Sequence, residues 1–386
     1  MILHFFNPEN DLALADGGAN YCPPPAAAQI AYDLGSLPLW FAGEGNAVML
    51  PDGHHLGYLD SVSGLFAVAA PGNGLDIAKV DGFRPWGWSA QMKRRLKAMG
   101  VPAESLPSDD VIEGLRMLSN RRTSIEIMKA LQERGIVIPP LPLYLQEPDA
   151  VADFVNSHSR CVVKAPWSGS GKGIAWGIGR VETPMEHFYK GVIRRQGGVV
   201  CEHFLASVQE FAMEFYADSD GVSFAGYSLF EAEKGSYSGN LLATDEHIEQ
   251  QLSQLVSLET LLQVREALVE ILSKLLSGSG YCGYLGVDMM IYRQGEELCL
   301  NPCMELNLRM NMGVVSRLFY DNYVESGVTG RFFVDFYKKP GEAYDVYMLN
   351  KERYPLEVRG GLMRRGYLNL SPIMPTSRYA AYVIIE

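Results

Sequence analysis

Short apolar runs bounded by turn residues alternate with helical spacing in the first part of the chain. The runs at residues 2–6, 37–42 and 65–70 have the length and bounds of strands. A stretch at 89–99 has helical spacing and is followed by a Gly, which favours a helix that ends there. Strands that alternate with helices predict an open α/β domain over residues 1–115.

A different pattern begins near residue 116. Thr123 and Glu126 have the spacing of a capping box for a helix that continues to residue 134. A helix near 148–158 and a strand over 160–165 follow, and a glycine-rich loop comes directly after that strand.

The second half of the chain combines a long helix with strands. Apolar side chains recur at helical spacing over about 259–277, which indicates a helix packed on a core. Two strands meet at a turn over 293–297, and the chain ends in a strand-like run at 379–385. We expect that last strand to return to the first domain.

Composition and charge exclude several classes of protein. The chain has 33 Lys and Arg against 45 Asp and Glu, a formal charge of −12, which argues against nucleic-acid binding. No run reaches the roughly 18 apolar residues of a membrane span. The first residues lack a basic segment typical of a signal peptide, and the six cysteines form no CxxC pair. We therefore expect a cytoplasmic protein with reduced cysteines.

Three alternate glycines lie in the loop between two apparent strands, at residues 168–174. Such a loop lets backbone N–H groups approach a phosphate. A P-loop would need Ser or Thr after Lys172, where the chain has Gly173, and a dinucleotide fingerprint would need Gly in place of Ile174. Two interpretations remain: a β-hairpin flap over a nucleotide, with Lys164 on its first strand, or a hairpin without a ligand.

Polar side chains with the two-residue period of a strand flank the turn at 293–297. A hairpin through this turn places Asp288 nearly opposite Glu305, and Asn307 and Arg309 follow on the same face as Glu305. Two carboxylates and an amide oxygen suit a hard cation such as Mg²⁺, and facing carboxylates without one would repel each other. A solvated strand face is the alternative, but leucines alternate with these residues and indicate burial on the other side.

In combination and in order, these elements resemble the ATP-grasp superfamily over roughly residues 116–320. The resemblance implies an α/β fold, with α+β character in the ATP-grasp lobes, in which a pre-ATP-grasp domain precedes a two-lobed module. We expect the pre-ATP-grasp domain at 1–115, a small lobe with the flap at 116–200, a large lobe with the metal site at 201–330 and a C-terminal extension at 331–386.

The resemblance also implies roles for individual residues. Those expected to bind ATP are Lys164, Ser168, Gly169, Ser170, Gly171, Lys172, Gly173, Glu202, His203, Phe204, Leu205 and Glu210. Lys164 and the glycine-rich loop would hold the phosphates, the backbone of 202–205 would bind adenine, and Glu210 would bind the ribose. Asp288, Glu305 and Asn307 would bind one or two Mg²⁺ ions, which Mn²⁺ could replace. Arg309 and Lys164 would stabilise the transferring phosphoryl group.

The sequence departs from the family pattern at the start of the first helix of the module and at the hinge, where His203 replaces a frequent Lys and its side chain is given no role. Members often have a Lys at the start of the first helix of the module, where this chain has Arg121 and Arg122, and Arg122 is the candidate for phosphate binding. Lys234 could be the second phosphate-binding lysine or an exposed turn residue.

The resemblance implies a ligase that activates a substrate carboxylate with ATP as an acyl-phosphate, for capture by an amine or a thiol. An ATP-grasp kinase of a small metabolite and a non-catalytic ATP-binding regulatory protein are the alternatives.

The loops at 7–11 and 85–89 follow strands, where α/β sheets bind ligands. Each loop therefore either contacts the substrate or serves as a turn or an interface. The partners expected are ATP and small molecules. The identity of the substrates stays open, as does the oligomeric state, for which a homodimer is one candidate.

Overall fold

The computed structural model of the protein describes residues 1–53, 56–169, 173–233 and 236–386. The helices are α1 (Asn10–Asp16), α2 (Pro25–Asp33), α3 (Leu56–Ser63), α4 (Ala90–Ala98), α5 (Asp109–Leu118), α6 (Arg122–Glu133), α7 (Pro148–Ser157), α8 (Thr183–Gln196), α9 (Asp245–Leu252), α10 (Leu258–Leu276), α11 (Met312–Tyr323) and α12 (Glu342–Arg353).

The strands within the described ranges form three sheets. They are β1 (Ile2–Phe5), β2 (Ala47–Met49), β3 (Ala70–Pro71), β4 (Gly82–Pro85), β5 (Leu143–Leu145), β6 (Cys161–Lys164), β7 (Ile174–Gly177), β8 (Val199–His203), β9 (Ala206–Asp218), β10 (Gly221–Glu233), β11 (Ser236–Leu242), β12 (Gly283–Gln294), β13 (Glu297–Asn307), β14 (Gly330–Phe336), β15 (Glu357–Arg359), β16 (Leu362–Asn369) and β17 (Tyr379–Ile385).

The first sheet is parallel, in the order β3-β2-β1-β4, as an open α/β domain requires. The helix predicted at 89–99 is confirmed as α4, and the Ser89 side chain caps it by accepting from the Met92 N–H at 3.2 Å. Parallel strands end at a common edge, so the loops after β1 and β4 lie side by side. The Asn7 side chain joins them by donating to the Gly87 carbonyl at 2.9 Å.

Two strands predicted in this domain are wrong. The run at 37–42 forms a buried 3₁₀ turn over Leu37–Trp40, in which Pro38 lacks the N–H that a sheet ladder needs. In the run at 65–70 the Phe66 N–H donates to the Val62 carbonyl, so the chain continues the last turn of α3, and β3 begins only at the last residue of the run, Ala70. A short apolar run without a clear period is compatible with a strand and with a buried turn, so the sequence pattern does not distinguish the two.

The second sheet is antiparallel, in the order β5-β8-β6-β7, and packs against α7 and α8. Helix α6 precedes this sheet. The capping box predicted for α6 is wrong, because the helix already begins at Arg122 and Thr123 is buried inside it. The Asn120 side chain instead accepts from the Arg122 N–H at 2.8 Å, so an Asn one turn earlier than expected satisfies this donor.

In the described part of the chain the third sheet has nine strands, in the order β13-β12-β9-β10-β11-β14-β17-β16-β15. Helix α10 confirms the long helix predicted at 259–277 and buries Leu261, Val264, Leu268 and Leu272 completely. The C-terminal strands extend this sheet, because β14 pairs with β11 and β17 pairs with both β14 and β16.

The C-terminal strands also contact the first domain. The Trp40 indole N–H donates to the Leu370 carbonyl at 2.9 Å, and the N–H groups of Arg378 and Tyr379 donate to Asp33. The last strand thus lies in the large sheet while the segment before it packs on the first domain. None of the helices in the described part of the chain combines the length and the apolar character needed to cross a membrane.

Candidate functional site

The hairpin of β12 and β13 brings the two predicted carboxylates together. Asp288 pairs directly with Glu305, and Met290 pairs with Asn301. Between these two pairs, one residue of β12 faces three residues of β13, so β13 contains a bulge. Pro302 lies in this bulge, on the edge strand of the sheet, where its missing N–H breaks no ladder.

Burial and like charge act together on these acids. Burial, with the repulsion of Glu305 next, raises the pKa of Asp288 to about 7. A hydrogen bond from Asn307 and the charge of Arg309 act in the opposite direction. The side chains of Asp288, Glu305 and Asn307 thus converge, and Asp288 is both largely buried and close to a second carboxylate.

Glu214 on β9 is an acid of this site that sequence reasoning missed. It is 1% exposed, its Oε2 accepts from Asn311 Nδ2 at 2.9 Å, and its Oε1 has no partner among the described residues. Burial, rather than the weaker repulsion by Asp288, raises its pKa to about 8. The signal in the sequence is a single acid inside the apolar run 211–217.

Arg121 connects the carboxylates to the glycine-rich loop. Its guanidinium donates to Glu305 Oε2 at 2.8 Å, to Ser168 Oγ at 2.5 Å and to the Ala165 carbonyl at 2.7 Å. Arg122, the residue chosen from the sequence, is exposed and lies 5.7 Å from the centre of the Tyr144 ring. Of the two neighbouring arginines, the structure therefore brings Arg121 to the acidic residues.

Arg309 forms a two-pronged ion pair with Asp11. Its Nε and Nη2 donate to the two Asp11 oxygens at 2.7 and 2.6 Å, and both side chains are largely buried. Asp11 also packs against Gly169, so closely that a Cβ at Gly169 would overlap its carboxylate. The loop at 7–11, a candidate from the sequence, thus meets β13 and the glycine-rich loop at one point.

The predicted hairpin around the glycine-rich loop is confirmed in its two strands, β6 and β7, which pair antiparallel with Lys164 opposite Ile174. Gly173 has a φ of +75° and accepts from the Ala165 N–H at 2.8 Å, which closes the base of the loop. Ser168 and Gly169 contact Arg121 and Asp11, as described above. Ser170, Gly171 and Lys172 lie outside the described residues.

Lys164 and Glu202 come together between β6 and β8, with 2.6 Å between Nζ and Oε2. The chain leaves β8 through Phe204 and Leu205, both half-buried. The Arg160 guanidinium lies 3.5 Å from the centre of the Phe204 ring, and Trp176 contacts that ring edge-on. This segment, predicted to bind adenine, therefore presents backbone and flat side chains between the second and third sheets.

The other predicted residues occupy different positions. His203 packs edge-on against His158 at 4.5 Å, and burial, followed by the charge of His158, lowers its pKa. Glu210 is exposed opposite Met290, near enough to Asp288 to raise its pKa. Lys234 lies outside the described residues.

The acidic cluster fits a hard divalent cation. Within the described ranges, no three His, Cys, Asp or Glu side chains form a metal cluster. The set here is two carboxylates and the Asn307 amide oxygen, which suits Mg²⁺ because this ion takes few protein ligands and otherwise binds water and phosphate oxygens. The pairing of the Asp288 and Glu305 carboxylates, and the Glu214 Oε1 that has no partner among the described residues, agree with a cation at this place.

Comparisons with known proteins find similarity at the level of the fold. No family model and no curated protein matches the sequence. Biotin carboxylase from Campylobacter jejuni, solved as a β-γ-ATP complex, has 12% identity and a TM-score of 0.51, over 100% of this chain and 87% of that chain. N5-carboxyaminoimidazole synthetase from Staphylococcus aureus with ADP has 12% identity and a TM-score of 0.49, over 100% of this chain and 93% of that chain.

The similarity to biotin carboxylase, an ATP-grasp protein, extends over the full length of the chain. The chain therefore has the ATP-grasp fold, as the order of its motifs predicts, with an N-terminal α/β domain before the ATP-grasp lobes. At 12% identity the comparison establishes the architecture, and the chemistry has to be inferred from the residues of the site.

Proposed function

We propose that the protein is an ATP-dependent ligase that activates a substrate carboxylate as an acyl-phosphate and transfers the acyl group to an amine or a thiol. The observation that carries the proposal is the convergence of Asp288, Glu305 and Asn307 on one hairpin, with Arg309 two residues further on. Arg121 links this cluster to the glycine-rich loop. The biotin carboxylase that shares the fold was solved as a β-γ-ATP complex.

The nucleotide would lie between the second and third sheets. Lys164 and the glycine-rich loop would hold its phosphates, the segment at 202–205 would contact adenine, and Glu210 would accept from the ribose. One or two Mg²⁺ ions, or Mn²⁺, held by Asp288, Glu305 and Asn307, would neutralise the phosphate charge.

Two phosphoryl-binding cations already have anionic partners in the chain. Arg309 is paired with Asp11, and Lys164 with Glu202. These ion pairs keep both cations ordered and their charges compensated before the nucleotide binds. Binding of ATP would then replace the two carboxylates with phosphate oxygens. The residues would then act by positioning and charge stabilisation, which is most of what phosphoryl transfer requires.

The reaction proceeds in two steps. A carboxylate oxygen of the substrate attacks the γ-phosphorus, the bond to the β–γ bridging oxygen breaks, and ADP leaves. The amine or thiol then attacks the acyl carbon, loses a proton, and expels inorganic phosphate. Arg309 would hold the oxygens of the phosphoryl group in both steps, because its guanidinium can donate to two oxygens at once.

The experiment measures ADP and phosphate release with MgATP and a panel of carboxylic acids and amines. We expect release of ADP and phosphate that requires both an acid and a nucleophile, and we expect Glu305→Gln to reduce this release at least 100-fold with the fold intact.

Arg121→Met should weaken binding of a non-hydrolysable ATP analogue with Mg²⁺ at least tenfold. The neighbouring Arg122→Met is the matched control and should change that binding little, since Arg122 is exposed.

Thermal unfolding reports nucleotide binding independently of turnover, because a ligand at 100 times its Kd stabilises the folded state by about 2.7 kcal/mol. Turnover that needs an acid but no amine or thiol would replace the ligase with a kinase. Binding of MgATP without ADP release across the panel would indicate a non-catalytic ATP-binding protein. Absence of a Mg²⁺-dependent stabilisation in the wild type would reject the nucleotide site itself.

A further inference from the structure

A cavity of about 70 Å³ lies between the first domain and the third sheet, apart from the acidic cluster. The ends of β1 and β4 and the start of β12 form its walls. Its volume is several times the roughly 10–15 Å³ that one water molecule needs. The Met310 N–H donates to the Trp86 carbonyl at 2.9 Å, so the residue next to Arg309 belongs to the wall.

Arg84 is the charged group of this cavity. It donates to the Tyr216 hydroxyl at 3.1 Å and to Cys282 Sγ at 3.4 Å, and within the described ranges it forms no ion pair. None of the described residues that line the cavity carries a carboxylate. Burial, with the charge of Arg84 next, lowers the pKa of His4 to about 4, so this imidazole is neutral at pH 7. Arg84 therefore brings a positive charge without an anionic partner.

The other walls are flat and apolar. Phe41, Trp86, Trp88 and Tyr284 contribute rings, and Trp86 is almost completely buried. Aromatic walls around a few polar groups are typical of small-molecule sites, and flat rings favour a flat ligand. The cavity therefore offers one cation, Arg84, for an anionic group of a ligand, and aromatic surfaces for the flat part of that ligand.

Arg84 and Arg309 are both close to Tyr281. Burial raises the pKa of Tyr281, and the charges of Arg309 and then Arg84 act against that rise, so its hydroxyl is within electrostatic range of both guanidinium groups. The Tyr281 hydroxyl donates to the Tyr284 carbonyl at 2.5 Å, at the cavity wall. One small molecule held at Arg84 can thus extend along Met310 toward the end of β13.

We propose that this cavity binds the acid substrate, and that the substrate is a small acid with a flat, unsaturated frame and an anionic group besides the carboxylate that is activated. Arg84 binds that anionic group, the rings of Trp86 and Tyr284 contact the frame, and the reacting carboxylate extends toward Arg309. The assignment of this occupant as substrate rests on the proposed ligase function, whereas the recognition of an anion by Arg84 does not.

The test uses benzoate as a probe for the anionic, flat part and benzamide as its neutral counterpart. The chain has five tryptophans, of which Trp86 and Trp88 line the cavity. In ¹⁹F NMR of the full chain with fluorotryptophan, we expect millimolar benzoate to shift these two resonances and leave that of Trp176 unchanged. Benzamide should bind at least tenfold more weakly. Arg84→Met should weaken benzoate binding at least tenfold, and Arg94→Met, an exposed arginine of the same domain, should not.

Each outcome bears on one of the two proposals. Equal binding of benzoate and benzamide, binding unchanged in Arg84→Met, or no shift of Trp86 and Trp88 at 10 mM benzoate would overturn the cavity site. A cooperative thermal unfolding transition without ligand verifies that Arg84→Met is folded, and stabilisation by Mg²⁺ and the ATP analogue, measured on the same samples, reports the nucleotide site separately. Selective benzoate binding in a protein that does not respond to nucleotide would support anion binding at Arg84 and reject its assignment to a ligase substrate.

Discussion

Two of the acids of the site, Glu214 and Asp288, are largely buried. Glu214 and Asp288 both lose hydration on folding, and each has a raised pKa for that reason first. A chain under selection for stability alone would replace an acid as buried as Glu214 with an apolar residue of similar size. Retaining Glu214 and Asp288 as largely buried acids costs stability, and a bound cation is the simplest compensation that the geometry offers.

Glu214→Gln should flatten the pH dependence of stability. The folded-state pKa of about 8 lies above the ordinary 4.5, so the folded state holds an extra proton between these values and the free energy of unfolding falls as pH rises through that window. At about 1.4 kcal/mol per pKa unit, the fall contributed by Glu214 from pH 5 to 8 is on the order of 3 kcal/mol. Chemical denaturation without metal at pH 5, 6, 7 and 8 measures it.

The control for this prediction is Asp218→Asn, an exposed acid at the end of the same strand. Its pH profile should follow that of the wild type. If the profile of Glu214→Gln also runs parallel to the wild type, Glu214 is ionised in the folded state, and the role assigned to its burial is wrong.

At this scale the sequence predicted the types of residue better than their contacts. Asp288 does face Glu305, but only because of the bulge at Pro302; without it, the pairing nearer the turn would place Asp288 opposite Cys303. Period-two alternation contains no signal for a bulge. The choice between Arg121 and Arg122 likewise depends on where α6 begins, and element boundaries are the least predictable feature of a sequence.

At the scale of elements, three segments that are distant in the sequence meet at one point of the site. Helix α1 contributes Asp11, the glycine-rich loop contributes Gly169, and the end of β13 leads to Arg309. Each lies in a different part of the sequence, and the ion pair holds them together. Local patterns predicted the hairpin and α4, α7 and α10, because these depend on neighbouring residues. This contact depends on how the elements pack, which no local pattern contains.

Gly169→Ala should disrupt this contact. The added methyl group would overlap the Asp11 carboxylate, which cannot turn away freely because both of its oxygens are bound by Arg309. We expect a loss of about 1–3 kcal/mol in the free energy of unfolding, the usual cost of overpacking. In an Asp11→Ala background the same change should cost at least 1 kcal/mol less, because the overlapping group is gone. Denaturation of the four proteins of this double-mutant cycle measures the coupling.

Gly114→Ala provides the control, since nothing lies within 4 Å of a Cβ at that position in α5. It should be neutral or slightly stabilising, because Ala is a better helix former than Gly. Additive effects of Gly169→Ala and Asp11→Ala would mean that the loop and Asp11 are not in contact in solution.

For the whole molecule, the first domain and the C-terminal strands form one core. Trp40 is completely buried against Phe319 and Tyr323 of α11, and its indole N–H is bound by the carbonyl of Leu370. The sequence predicted the ATP-grasp fold from motifs in order. It could not predict that strands near the end of the chain complete a sheet begun near residue 206, because such pairing is set by the tertiary structure.

This shared core predicts that residues 1–118 do not fold alone. The isolated segment lacks α11 and Leu370, so the face that holds Trp40 would be open to water, and an apolar surface of that size is not stable in a small domain. We expect the segment to have weak near-ultraviolet circular dichroism and tryptophan emission shifted to long wavelength. On denaturation, the full chain should lose its near-ultraviolet circular dichroism and its native tryptophan emission in one unfolding transition, because the contacts of Trp40 join the first domain to α11 and the C-terminal strands. Native-like signals in the isolated segment would show that the first domain is an independent unit, and so would separate unfolding transitions of the first domain and the third sheet in the full chain. If a mixture of 1–118 with 119–386 regains the native signals, the stability of the first domain comes from its contacts with α11 and Leu370.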